Sequence, residues 1–292
     1  MTTAIRHDHA DVNGVRLHYA AAGSGPLVMF LHGFPEFWYE WRRQLEEFGR
    51  DHTAVAPDMR GHNLSSKPEG LDAYRVEQLV ADVAALGAHL GHRRFTLVAH
   101  DWGGAVAWAV ALRRPDVLER LVIINAPHPA VFARELRDNP AQQKASQYML
   151  MFRTPQAEEI LSADDYAALR RGLGEVWDKH FTDEDRRMYL EAWSRPGALT
   201  CGLNYYRAAR VGPPSGTEAA RGDFGVREVP VIETPTLVIW GERDRALGTG
   251  NLIGLDKHVR SLTIRRIPEG SHWVVHEQPE LINRYIREFL AS

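Results

Sequence analysis

Within residues 95–115, FTLVAHDWGGAVAWAVALRRP, an acid stands where a reactive group would be most exposed. The apolar run 95–99 reads as a short strand, and the alanine-rich run closed by Pro115 reads as a helix. Between them Asp101 has Ala99 two residues before it and Gly103 and Gly104 after it. Small residues at that spacing suit a tight strand-to-helix turn that forces its central residue into a strained conformation and projects its side chain. A plain helix N-cap is the alternative role for the same Asp. As a nucleophile, Asp attacking an acyl group would make an anhydride, a poor intermediate. Attacking an sp³ carbon, it makes an ester that an activated water can open, whereas Ser would stall as an ether. The chemistry therefore implies an alkylating substrate, an epoxide or an alkyl halide.

Other positions supply the remaining parts. His32-Gly33-Phe34-Pro35 follows the apolar run 27–31, and a turn there can aim the Phe34 N–H at the same point as the Trp102 N–H, making a two-donor oxyanion hole. A simple His-Gly turn reads the same way. Asp244, in Gly241-Glu242-Arg243-Asp244, can hold an imidazole in one tautomer, or can merely cap an Asx turn; Glu242 and Asp256 are weaker candidates for that acid. His272, in Gly270-Ser271-His272-Trp273, comes after the nucleophile and the acid in chain order. Tyr148 and Tyr206 lie in helical stretches, where aromatics are commonly core. An epoxide leaving as alkoxide needs an acid, and a tyrosine hydroxyl can serve. A halide needs only donors such as an indole N–H.

The elements that must position these groups alternate. A hairpin is expected at 12–21 around Asn13-Gly14, with strands at 27–31, 53–57, 95–99 and 121–124. Helices are expected at 38–48 and 74–90 and after Asp101. Alternation implies a mostly parallel sheet. From Pro127 to about 229 the pattern is helical: 141–152, 157–161, 164–173, 183–193 and 199–209, closed by a polar loop at 212–225. Strand and helix then resume at 236–240, 252–258, 261–267 and 280–290.

Composition narrows the class. With 35 basic and 38 acidic residues the formal charge is −3, which favours neither nucleic acid nor an anionic membrane. The single Cys201 permits no internal disulfide and fits a reducing compartment. The first residues lack an apolar signal core and no run approaches membrane-spanning length, so a cytoplasmic location is expected. His7 and His9 have no nearby Cys or acidic cluster, so no metal site is expected, nor any cofactor.

Over almost the whole chain the sequence resembles the epoxide hydrolases of the α/β-hydrolase superfamily. The matching stretches are HGFPEFWYEWR (32–42), PDMRGHNLSSKP (57–68), HDWGG (100–104), SQYMLMF (146–152), LNYYR (203–207), GERD (241–244) and GSHW (270–273). The resemblance implies an α/β class fold: a hydrolase core of 1–126 and 231–292 with an eight-stranded, mostly parallel sheet, and an inserted helical lid at 127–230. It implies Asp101 as nucleophile, His272 as base and Asp244 as its orienting acid. Tyr148 and Tyr206 match the two lid tyrosines that hold the epoxide oxygen, and Trp38, with Pro35 beside it, looks like a pocket wall. The expected reaction converts a small-molecule epoxide and water to a diol through an ester on Asp101. A haloalkane or haloacid dehalogenase with the same Asp is the alternative, although such dehalogenases typically carry a polar amide where Phe34 stands. Oligomeric state stays open, with a homodimer among the options.

Overall fold

The computed structural model describes residues 4–226 and 228–292. Strands β1 (Arg6–Val12) and β2 (Val15–Ala22) form the expected hairpin, turning on Asn13 and Gly14 with φ of 46° and 72°. Two successive positive φ values match the twist of the strands, which is why Asn-Gly serves here. The others are β3 (Leu27–Leu31), β4 (Thr53–Pro57), β5 (Phe95–His100), β6 (Leu118–Ile124), β7 (Thr236–Gly241) and β8 (Leu262–Ile267). They make one eight-stranded sheet in the order β1-β2-β4-β3-β5-β6-β7-β8. β2 pairs antiparallel with β1 and β4, and every other pairing is parallel. β3, β5 and β7 are buried along their whole length, as continuous apolar runs require when helices cover both faces.

Register brings the carboxyl ends of the central strands level. Leu31 pairs with Ala99, His100 with Ile124, Ile124 with Ile239, and Gly241 with Ile267. The loops leaving those ends carry Phe34, Asp101, Asp244 and His272, so the sheet itself gathers residues scattered over more than half of the chain.

The helices are α1 (Arg42–Phe48), α2 (Val76–His89), α3 (Asp101–Arg113), α4 (Pro129–Asp138), α5 (Pro140–Ala145), α6 (Gln147–Phe152), α7 (Ala157–Leu173), α8 (Asp183–Ser194), α9 (Ala198–Ala209), α10 (Val274–Glu277) and α11 (Pro279–Leu290). Among the described residues α4 to α9 follow one another between β6 and β7 without an intervening strand. Several differ from expectation. α4 was not anticipated; it starts on Pro129 and buries Val131, Phe132 and Leu136 along one stripe of an otherwise polar sequence. The expected helix at 141–152 is broken at Ser146 into α5 and α6. The gap expected between 161 and 164 appears inside α7, where Asp164, Asp165 and Tyr166 take φ of 49°, 55° and 58°. In place of a helix near 252–258 stand two 3₁₀ turns, separated around Gly254 at φ 75°.

The inserted helices are tied to the loops after β3 and β4. In α8 the Trp193 indole donates to the Pro35 carbonyl at 2.7 Å, and Asp185 pairs with Arg42 at 3.0 Å. In α9 the Tyr205 hydroxyl donates to the Arg60 carbonyl at 2.8 Å. Among the described residues no helix is long and apolar enough to cross a membrane.

Candidate active site

Asp101 opens α3 at φ 48°, the left-handed region that costs a non-glycine residue about 1–2 kcal/mol. That strain persists because the surroundings leave no alternative path. A Cβ on Gly103 would lie 2.3 Å from the Leu31 carbonyl oxygen, and one on Gly104 would lie 2.2 Å from the Ala126 Cβ. A Cβ on Gly33 would come within 2.3 Å of both the Asp101 Cβ and its Oδ1. Glycine at 33 therefore lets the loop after β3 close onto the carboxylate, where the Phe34 N–H donates to Oδ1 at 2.9 Å. Phe34–Pro35 is a cis peptide bond.

The other carboxylate oxygen faces the imidazole. His272 Nε2 lies 3.5 Å from Asp101 Oδ2, and His272 Nδ1 lies 2.6 Å from Asp244 Oδ2. Asp244 is itself fixed: Oδ1 accepts the Ala246 and Leu247 N–H groups, each at 2.8 Å, and Oδ2 accepts the Asn125 amide at 2.8 Å. Asn125 also accepts the Gly241 N–H at 2.8 Å, joining the ends of β6 and β7. Burial alone would lower the His272 pKa, but the Asp244 charge and the bond to Asp101 outweigh it and raise it well above the usual imidazole value. Burial would raise Asp101, yet the His272 side chain, its charge and the Phe34 N–H hold it below the usual carboxylate range. The two shifts agree: the resting pair is an imidazolium beside a carboxylate.

Beside Asp101 lies a small pocket lined by Trp102, Phe132, Tyr148, Tyr206 and Phe224, with about 20 Å³ of free space, room for one water. The ring of Tyr206 is buried, 5.0 Å from Trp102 and 6.3 Å from Tyr148. Burial raises the pKa of both hydroxyls well above 10.0, with the Asp101 charge pushing in the same direction. Both tyrosines thus keep their protons.

Two expected pocket residues sit elsewhere. The ring of Trp38 packs edge-on against His7 at 4.7 Å, facing the β1–β2 hairpin, so it is no wall of this chamber. Pro35 lines a separate small crevice with Phe34, Glu36 and Trp193 and spends its carbonyl on the Trp193 indole. The rival acid Glu242 pairs with Arg266, and Asp256 lies in a 3₁₀ turn. His7 and His9 surround His18, which bonds Asp58 at 2.6 Å; no group of three metal-ligating side chains occurs among the described residues.

Sequence reasoning missed Asn125, whose signal is an amide closing the apolar run of β6. It also missed the buried acids Glu36 and Glu40 within an aromatic stretch, and His100. Glu36 bonds the Tyr189 hydroxyl and lies 3.1 Å from His276 Nε2.

A strained Asp turn at the end of a central parallel strand, met by a second Asp and a His from the loops after β7 and β8, is the arrangement of an α/β-hydrolase, and the comparisons agree. Residues 26–279 match the alpha/beta hydrolase fold family, and the chain belongs to it. It is 40% identical to the AB hydrolase superfamily protein YfhM of Bacillus subtilis over 99% of each chain. It is 37% identical to epoxide hydrolase 1 of Caenorhabditis elegans, over 94% of this chain and 68% of that one. A Bacillus megaterium epoxide hydrolase solved with an inhibitor superposes with a TM-score of 0.92 at 37% identity, covering 98% of this chain and 100% of the other.

Proposed function

We propose that the protein is an epoxide hydrolase, adding water to an epoxide to give a vicinal diol. One observation carries this: an Asp stands at the turn where acyl hydrolases use Ser, beneath two protonated tyrosines. Several relatives at 33–37% identity are named epoxide hydrolases, so the dehalogenase alternative is not favoured.

On this reading Asp101 Oδ2, the oxygen outside the Phe34 N–H bond, attacks one ring carbon while that carbon's bond to the epoxide oxygen breaks. Tyr148 and Tyr206 hold the oxygen as it becomes an alkoxide and deliver its proton. The tyrosinate takes the proton of the His272 imidazolium through solvent, and the neutral His272 Nε2 then deprotonates a water as its hydroxide attacks the ester carbonyl carbon. The Phe34 and Trp102 N–H groups receive the charge on Oδ1. Collapse expels the diol and restores the carboxylate. The chamber holds only about 20 Å³, so a substrate enters as side chains of α6 and α9 shift. Residues 127–230 serve as the lid in this scheme, over a core of 1–126 and 231–292. A cytoplasmic location goes with the same reading, and a homodimer stays among the options for its assembly.

A single turnover in ¹⁸O water, with enzyme in excess, tests it. Label is expected in the peptide carrying Asp101 and absent from the diol. His272→Ala should form the ester and retain it, seen as a mass increase equal to that of the epoxide. Label entering the diol directly in the first turnover would remove Asp101 as nucleophile.

A further inference from the structure

Next to the catalytic pocket lies a larger hollow that the mechanism above does not use. A surface groove of about 920 Å³ runs between the start of α2, the far ends of α3 and α9, and the loop before β7. Its apolar lining comes from Val76, Leu112, Ala208, Ala209 and Pro230. Among the described residues, Phe224 is the one that lines both this groove and the pocket beside Asp101. The same two helices serve both spaces. Tyr206 and Ala209 share a face of α9, about 5 Å apart along its axis, and Ala105 and Leu112 share a face of α3, about 10 Å apart.

The ring between the two spaces sits on an unusual backbone. Phe224 has a φ of 48° and Gly225 a φ of 85°, and a bulky residue at positive φ is an outlier. The Val226 N–H donates to the Asp223 carbonyl at 2.8 Å, closing a tight turn. Asp223 Oδ1 accepts the Gly225 N–H at 2.9 Å, and Arg113, at the end of α3, donates to the Gly225 carbonyl at 3.3 Å. The backbone is thus pinned while the ring is held by packing alone. It stacks on Phe132 at 5.5 Å and stands edge-on to Trp102 at 5.4 Å. Rotating it aside breaks no hydrogen bond and joins the pocket to the groove.

We infer that the groove is the subsite for the tail of a long epoxide, and that Phe224 is the gate between that subsite and Asp101. With a ring carbon at Asp101 and the epoxide oxygen at Tyr206, α9 leads straight from the oxygen's partner to the groove. The tail it fits is apolar and uncharged, because the three arginines of the groove already face acids. Arg113 pairs with Glu77 and Arg75 with Asp72, each at 2.7 Å, and Arg221 pairs with Asp223 at 3.3 Å. A second groove, about 310 Å³, opens beside His272 and is the rival path, yet it shares no lining residue with the pocket that holds the tyrosines. The inference rests on the epoxide hydrolase reading and gives it a substrate class, terminal epoxides bearing long alkyl chains.

Steady-state kinetics with epoxybutane and epoxydodecane test it, read as the ratio of the two kcat/KM values. Each methylene taken out of water is worth up to about 4-fold, so wild type should prefer the longer epoxide by about 10-fold or more. Ala208→Trp fills the groove and should reduce that preference about 10-fold. Pro230→Trp, on the exposed rim, takes its place should Ala208→Trp fail to fold. Phe224→Ala should raise the preference by about 10-fold, the gain when a minor open state becomes the only one. Gly172→Trp fills the groove beside His272 and should show the wild-type preference. Loss of the preference in Gly172→Trp, or its retention when the groove near α9 is filled, would send the tail elsewhere and overturn the inference. Equal kcat/KM for the two epoxides in wild type, or no rise in Phe224→Ala, would overturn it as well. No diol from either epoxide would refute the hydrolase reading itself and the tail subsite with it, an outcome distinct from turnover that ignores chain length.

Discussion

Gly33→Ala places a methyl group against the nucleophile and tests the geometry directly. The added Cβ would sit 2.3 Å from the Asp101 Cβ and Oδ1, where ordinary contact begins at 3.4 Å. The loop after β3 and the start of α3 must therefore part by about 1 Å. That opening lengthens the 2.9 Å bond from the Phe34 N–H and moves Oδ2 relative to His272. A displacement of about 1 Å in a reacting group costs roughly 100-fold in rate, while overpacking costs about 1–3 kcal/mol of stability. Activity should thus fall far more than folding. The assay is rapid-quench measurement of ester formation with a small aryl epoxide, alongside thermal unfolding. Gly172→Ala is the control: a Cβ there meets nothing within 4 Å, and Ala should add about 0.5–1 kcal/mol in the last turn of α7. Wild-type ester formation by Gly33→Ala would show that the carboxylate does not need the observed position, and the reasoning from the Gly33 contact would fall.

Other expectations follow from the same geometry. Asn125→Ala frees Asp244 Oδ2 and the Gly241 N–H, and should slow ester hydrolysis about 10-fold while sparing ester formation, read by rapid quench. Tyr148→Phe or Tyr206→Phe alone should slow alkylation by about 10- to 1000-fold, and the double variant should nearly abolish diol formation in a chromatographic assay. Acid should destabilise the fold between pH 6.5 and 5. Burial holds His62 and His128 near a pKa of about 3, below the 6.5 of an unfolded chain. The unfolded state thus binds more protons, so stability is full above pH 6.5 and falls by about 2 kcal/mol per histidine by pH 5. The raised pKa of His272 acts at higher pH and is constant in this window, and urea unfolding at several pH values checks the slope.

The sheet was legible because buried parallel strands write themselves as unbroken apolar runs, as in residues 27–31 and 236–240, and because turn glycines flank Asp101. What stayed hidden depends on partners remote in sequence. Asn125 meets Asp244 across 119 residues, and Tyr189 meets Glu36 across 153. Nothing local distinguishes such an amide or hydroxyl from a solvated one. Trp38 went wrong for a related reason: an aromatic in a loop advertises bulk and not direction, and its ring turned toward His7. The break at Ser146 carries no Gly or Pro, so the helical period ran straight through it.

On the proposed mechanism, the charges around His272 also give the reason for the base to act second. In the resting enzyme the imidazolium lies between Asp244 at 2.6 Å and Asp101 at 3.5 Å. A unit charge at about 4 Å contributes about 4 kcal/mol at an effective dielectric near 20, against about 1.4 kcal/mol for a tenfold change in protonation. Ester formation removes the Asp101 charge, so one of the two carboxylates that hold the His272 proton is lost at that moment, while Asp244 still orients the ring. The proton balance then closes. The alkoxide takes a proton from a lid tyrosine, the tyrosine is refilled from His272 through solvent, and the neutral imidazole is ready for water. Hydrolysis returns a proton to His272 and the charge to Asp101, recreating the resting pair. A neutral His272 present from the start would compete with Asp101 by activating water against the epoxide. The paired carboxylate suppresses that route until the ester exists, so the order of the two half-reactions is written into the spacing of two carboxylates around one imidazole.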